Sequence, residues 1–217
     1  MNTATFTEKN SYTDFGLILS QKEIGEAEVR TKYIDVPARD GLIDATEAFG
    51  EVRYKNRTIS LEFQYIGTDG NWLATLSAFT NYIHGKTHKI YLERNYYWQG
   101  RCFVKAASSS RGIRTITVEC DCEPYKLKSQ DTVIAVTVTS GDHTTTIIND
   151  RKTVTPIVTV VSGAPLLKWT DKKTGAAFSV ALSGAKKYLD FKLYEGENTF
   201  TVSGAGVVKI AYREGSL

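Results

Sequence analysis

Within residues 33–50, YIDVPARDGLIDATEAFG, the carboxylates Asp35, Asp40, Asp44 and Glu47 crowd around one Arg-Asp-Gly turn. Acids at such spacing can move protons or hold a hard cation, and a glycosidase needs two of them flanking a scissile bond. The stretch lacks the Asp-x-Asp-x-Asp-Gly pattern with a later bidentate Glu that marks a calcium loop. Backbone duties account for most of it instead. Val36 before Pro37 is pushed into an extended conformation, Asp40-Gly41 signals a turn, and Asp44 with Glu47 opens a short helical turn ending near Gly50.

The other chemistry-bearing residues are few. Cys120 and Cys122 form a Cys-x-Cys pair that could begin a zinc site with Cys102 or His88, but the usual pair of Cys-x-x-Cys knuckles is absent. Both cysteines lie on the apolar phase of one strand, which favours inward-facing small hydrophobes. His84 and His88 are four apart, yet Gly85 between them ends any shared helix, and His143 sits in a Gly-Asp-His turn. No Gly-x-Ser-x-Gly elbow, phosphate-cradling loop or dinucleotide fingerprint occurs, so the chain is read as a non-enzyme without a cofactor or metal. Trp72 belongs to the apolar face of a helix and reads as core. Trp169, in LLKWTDKKTG at a strand end, is kept as a carbohydrate-contact candidate beside its structural reading.

The elements that must position these residues follow from periodicity. In YKNRTISLEFQY (54–65), Ile59, Leu61, Phe63 and Tyr65 alternate with polar neighbours, the pattern of a half-buried strand. Trp72, Leu76, Phe79 and Ile83 then fall at helical spacing, behind the capping candidates Asp69 and Asn71, predicting a helix from about Asn71 to His84. Strands are predicted over 88–94, 97–106 and 112–122, with ASSSRG as a hairpin loop between the last two.

After residues 124–130 the texture becomes Val/Thr/Gly-rich. TVIAVTVTS, HTTTIIN, TPIVTVV, AFSVALS, YLDFKLY, NTFTVS and VVKIAYR read as short strands of nearly even spacing. The fold class is therefore mainly β. An α+β domain over 1–128, an antiparallel sheet with one helix, precedes a β-sandwich over 129–217.

Composition bounds the partners. The 217 residues are 41% hydrophobic and 24% charged, and 27 basic against 24 acidic side chains give a net charge of +3. These charges are mixed along the chain, so no dedicated nucleic-acid surface is marked. No window reaches the roughly 20 apolar residues that span a bilayer, and no signal-peptide core is found. With three cysteines, an odd number, this predicts folding in a reducing cytoplasm.

The order of motifs resembles a family. DFGLILS, then VPARDGLIDATEAFG, then Tyr54-Lys55-Asn56-Arg57 leading into ISLEFQY, resembles the N-terminal domain of the distal tail proteins (Dit) of long-tailed phages and prophages. The closing GENTFTVSGAGVVKIAYREGSL resembles the end of that family's galectin-like β-sandwich. One departure is Ala38, where the family often has Gly. Another is a second domain with no room for an inserted arm or an added sugar-binding module.

The resemblance implies a virion structural protein: a hexameric ring at the tail tip or baseplate hub, made in the host cytoplasm. It would join the tail tube protein to a tail-associated tip protein, with a receptor-binding protein as a further candidate partner. DNA and the tape-measure protein would pass through its channel without specific binding, and no membrane is involved. An extended belt from each subunit would wrap its neighbour, here residues 21–50, with Arg39, Asp40 and Arg57 as subunit-interface candidates. The alternative is a module that attaches to host-surface glycans through the C-terminal sandwich and Trp169.

Overall fold

The computed structural model describes residues 2–48, 50–110 and 112–217, and of Asp69 the backbone alone. The chain divides into two compact units, Met1–Lys126 and Leu127–Leu217.

The first unit opens with a tight hairpin, β1 (Thr5–Phe6) and β2 (Lys9–Asn10), followed by helix α1 (Ser11–Phe15). Asn10 caps that helix, its Oδ1 accepting from the N–H groups of Tyr12 and Thr13, and Gly16 closes it at φ 63°. The cap turns Phe15 into the core. There follow β3 (Leu17–Ile24), a two-residue pair β4 (Tyr33–Ile34) and β5 (Ile43–Asp44), β6 (Arg57–Tyr65), and α2 (Trp72–Ile83). The unit continues with β7 (Lys86–Glu93), β8 (Tyr96–Ser110) and β9 (Ile113–Cys122); β10 spans Lys126–Lys128.

The main sheet runs β2-β1-β7-β8-β9-β6-β3 with antiparallel pairing throughout. It curls far enough that the Leu19 N–H, on the last strand, donates to the Asn2 carbonyl leading into β1 (3.0 Å). Its concave face holds Leu17, Ile59, Leu61, Phe63, Ile116 and Val118, and α2 adds Trp72, Phe79 and Ile83. Phe79 is the hub of an aromatic cluster, edge-on to Phe6, Phe15 and Phe63 at 5.1–6.0 Å.

Two details differ from the sequence expectation. Asn71 does not cap α2: it sits at φ −99°, ψ −2° without a side-chain bond, inside a 3-10 turn over Asp69–Asn71 that Thr68 O closes by accepting the Asn71 N–H. The Asp69 side chain lies outside the described residues. The predicted ASSSRG loop is mostly strand. β8 runs on to Ser110, whose partner is Ile113, because Thr115 Oγ1 bonds Ser108 Oγ (2.8 Å) and small polar residues suit a solvent-exposed ladder. Arg111 lies outside the described residues.

The second unit contains β11 (Thr132–Val138), β12 (Asp142–Asn149), β13 (Ile157–Gly163), β14 (Leu166–Thr170) and β15 (Ala177–Ala181). It ends with β16 (Ala185–Lys187), β17 (Gly196–Ser203), β18 (Gly206–Tyr212) and β19 (Gly215–Ser216). They form two four-stranded antiparallel sheets, β11-β18-β13-β16 and β12-β17-β14-β15. Val136, Val158, Val208 and Ile210 from one meet Ile147, Leu167, Phe200 and Val202 from the other, a β-sandwich core.

YLDFKLY (188–194), expected as a strand, is a turn followed by a single bridge, Val154 to Leu193. Its apolar alternation is real, since Phe191 and Leu193 are buried. Its carbonyls are satisfied differently: Asn149 Nδ2 donates to Leu193 O (3.1 Å) and Asn198 Nδ2 to Tyr194 O (2.7 Å). Buried amides stand in for a neighbouring strand, which a pattern of hydrophobicity does not reveal.

Candidate functional site

Residues 25–56 leave the core of the first unit as an arm. The β3–β6 ladder is prolonged by the Gly25 N–H on Thr58 O (2.9 Å), the Lys55 N–H on Glu28 O (2.8 Å), a bridge between Val29 and Tyr54, and the Arg30 N–H on Arg53 O (2.7 Å). Lys55 Nζ also meets Glu28 Oε2 at 2.8 Å. Beyond it, the β4–β5 pair folds the tip back on itself, helped by the Ala45 N–H on Lys32 O and the Lys32 N–H on Thr46 Oγ1.

Asp35, Asp40, Asp44 and Glu47 are all exposed. Asp44 Oδ1 accepts the Thr46 N–H (2.9 Å), and its bonds to Thr46 hold its pKa below the usual carboxylate value. A turn follows in which the Ala48 N–H meets Ala45 O and the Gly50 N–H meets Glu47 O. Among the described residues no group of three His, Cys, Asp or Glu side chains gathers as a metal cage.

The tip is a β-turn centred on Pro37 and Ala38, closed by the Arg39 N–H on Val36 O (3.2 Å). Pro37 presets the first central φ, and Ala38 takes φ 64° at the second, the left-handed position that glycine fills more readily. Gly41 takes φ 76° three residues on. The turn leaves Arg39 and Asp40 in solvent, and the arm exposes apolar side chains: Val29, Tyr33, Ile34 and Leu42, the last 58% exposed. An arm whose tip has, among the described residues, one that is buried, Ala45, and several bare apolar ones has little packing to stabilise it.

Arg57 lies at the root of the arm, Arg39 and Asp40 at its tip, and they do not form one cluster. Arg57 shares the inward phase of Ile59, Leu61 and Phe63 and is 5% exposed; its Nε and Nη2 find no hydrogen-bond partner among the described residues. Trp169 is 7% exposed. Its ring stacks on Phe178 (5.0 Å, 12°) and its indole N–H donates to Asp190 O. With Lys168, Asp171, Phe178, Thr199 and Thr201 it lines a groove of about 800 Å³.

Sequence reading missed a cavity of about 650 Å³ in the first unit, lined by Asn2, Ser20, Gln21, Lys22, Glu93 and Arg94. It opens where β3 bulges between Leu19 and Gln21 and β7 shifts register between Ile90 and Glu93. The polar run after Leu19 was the visible signal; the register of its neighbours was not.

His88 and His84 are held by hydrogen bonds to their neighbours, and the exposed His143 lies in β12 rather than in a turn. Tyr82 O can only accept, so His88 Nε2 carries the proton and donates to it (3.2 Å), while Nδ1 accepts from Thr7 Oγ1 (3.1 Å). Burial depresses the His88 pKa. His84 Nδ1 instead accepts the Val104 N–H (3.0 Å), so the two rings serve different neighbours. Cys102, Cys120 and Cys122 are buried on the inner face of β8 and β9, the last two as their strand phase predicts. No helix among the described residues is long and apolar enough to cross a membrane.

No family model and no curated protein matches the chain. Among solved structures it is similar to the SPP1 Dit (gp 19.1) protein, described as a paradigm of the hub adsorption apparatus in phages that infect Gram-positive hosts. The two align over 99% of each chain with a TM-score of 0.66 at 15% sequence identity. The chain thus has the fold of a phage distal tail protein from end to end.

Proposed function

We propose that this chain is a structural protein of a phage or prophage tail tip, a hub that assembles with itself into a ring and joins the tail tube protein to the tip. The observation that carries this reading is the full-length likeness to a hub protein, taken with an arm that exposes Val29, Tyr33, Ile34 and Leu42. A second copy would cover those side chains. A hexamer whose belt, residues 21–50, takes in most of the arm is the arrangement favoured here, with Arg39 and Asp40 at the turn as polar contacts and Arg57 at the root.

An interface of ordinary size buries about 800 Å² per partner, which an arm of this length can supply. Head-to-tail contacts of this kind close into a ring when the rotation per subunit allows it. The net charge of +3 on 217 residues suits a channel that DNA passes through, since a strongly basic wall would retain a polyanion. The galectin-like character of the C-terminal sandwich, attachment of a receptor-binding protein there, and a place in the virion belong to the same proposal.

Negative-stain microscopy of the purified full chain, alone and with its tail partners, tests it. Closed rings are expected, and the double variant Arg39→Ala, Asp40→Ala should lose or weaken them. Rings unaltered by that variant sink the assignment of the turn to the interface. A chain that stays monomeric with every tail partner present sinks the hub.

A further inference from the structure

Cys102 on β8 and Cys120 on β9 are direct partners in the ladder, with their Sγ atoms 3.1 Å apart. The type of pair follows from their neighbours. The Cys102 carbonyl accepts the Gly85 N–H (2.8 Å), so the polar backbone groups of Cys102 face β7. Thr58 O accepts the Gly25 N–H, so Thr58 faces β3; Ile59, one residue on, faces β9, and its partner Cys120 faces β6. Neither cysteine directs backbone groups at the other, which defines the non-hydrogen-bonded pair with Cα atoms about 4.5 Å apart. That spacing falls within the range of roughly 4.4–6.8 Å that a disulfide bridges.

Cys122 is excluded by the same register. It faces Gly100 rather than a thiol, and a Cβ built on Gly100 would fall 2.5 Å from its Sγ. Its relation to Cys102 is the diagonal one, roughly 7–8 Å between Cα atoms and too long to bridge without moving backbone.

We infer that Cys102 and Cys120 are a disulfide-forming pair, oxidised by a small organic disulfide, that locks β8 to β9 and leaves Cys122 as a thiol. One cysteine thiolate attacks a sulfur of the small disulfide and expels a small thiolate. The second cysteine then displaces the other small thiol, forming the protein S–S bond. The protein loses two electrons, the small disulfide is reduced to two thiols, and the two cysteine protons end on them. Both sulfurs are fully buried, so exchange belongs to folding or to local opening of the β8–β9 hairpin. The inference rests on strand register and does not depend on the proposed tail role.

The test is to refold the full chain in buffers spanning a range of reduced to oxidised glutathione, quench with acid, alkylate in denaturant and map the peptides. Expected is a mass lower by two hydrogens, a Cys102–Cys120 cross-linked peptide and one alkylated residue, Cys122. Cys122→Ala should leave the cross-link intact and Cys120→Ala should abolish it. Three alkylated cysteines at every redox ratio, glutathione adducts in place of the cross-link, or a Cys120–Cys122 bond would overturn the inference. The wild-type peptide map decides the matter even if a variant fails to fold.

Discussion

The hydroxyl of Tyr194 donates to Asp171 Oδ2 at 2.6 Å, tying the loop that covers the sandwich core to the turn after β14. The same carboxylate's Oδ1 accepts the N–H groups of Lys173 (3.0 Å) and Thr174 (2.8 Å). Asp171 is therefore both the turn's cap and the loop's anchor, and the Tyr194 bond, first, with the Thr174 N–H holds its pKa at about 2 against an ordinary 3.8. A depressed carboxylate stabilises the fold above its unfolded pKa, and that contribution is lost as pH falls from about 3.8 to about 2. Tyr194→Phe should cost about 1–2 kcal/mol at pH 7, where the acceptor is charged, and much less near pH 2. Urea unfolding followed through the C-terminal unit at both pH values checks it; an equal loss at each would refute the charged bond.

His88 reports on the first unit. Its neutral ring links Thr7, itself in the left-handed region at φ 56°, to Tyr82 O, and the Tyr82 hydroxyl donates to Phe6 O (2.7 Å). Burial is the main cause of its lowered pKa, and Lys86 nearby adds to it. The unfolded chain thus takes up a proton before the native state does. Stability is full above pH 6.5 and declines as pH falls from there to the lowered native value. NMR titration should show His88 titrating below 6.5, and His88→Gln should flatten this part of the stability curve. A His88 that titrates at 6.5 or above would contradict the buried, neutral ring.

Much of this architecture was legible in the sequence where one force decides the outcome. The alternation of Ile59, Leu61 and Phe63 marks β6, and the spacing of Trp72, Leu76, Phe79 and Ile83 marks α2, because each places one apolar face against the core. What hid was governed by single polar bonds: the Asn10 cap that makes α1, the Asn149 and Asn198 amides that replace a strand, and the β3 bulge at Ser20, whose hydroxyl donates to Glu62 O. Arg57 is a case where the signal was present. It is in phase with Ile59, so the rule that found the strand also places its guanidinium inside. Trp169, in phase with Leu167 and paired with Phe200, follows the same logic.

Ala38 offers a local test of the arm. A non-glycine residue at φ 64° costs roughly 1–2 kcal/mol, and glycine gives back part of the relief through a more disordered unfolded chain. Ala38→Gly should steady the Pro37–Arg39 turn by up to about 1 kcal/mol. The gain stays in the arm, whose described residues bury little that would couple it to global unfolding. Limited proteolysis and amide exchange over residues 33–44 should slow, with the melting temperature of the unit unchanged. Faster cleavage at the turn would show that Ala38 is not strained.

Arg57 sets stability against assembly. A buried guanidinium whose Nε and Nη2 lack partners among the described residues keeps its desolvation cost without the compensating bonds. Arg57→Met keeps the stem that packs beside Ile59 and removes the charge, so the monomer should gain about 1–3 kcal/mol in urea unfolding. If Arg57 is an interface residue, the same variant should weaken the ring, because a partner carboxylate would lose its cation. The two readouts are independent: unfolding is measured on the monomer, and ring content by light scattering and microscopy. A variant that is more stable and still forms rings shows that Arg57 lies outside the contact. A less stable monomer shows that the guanidinium is satisfied within the native chain.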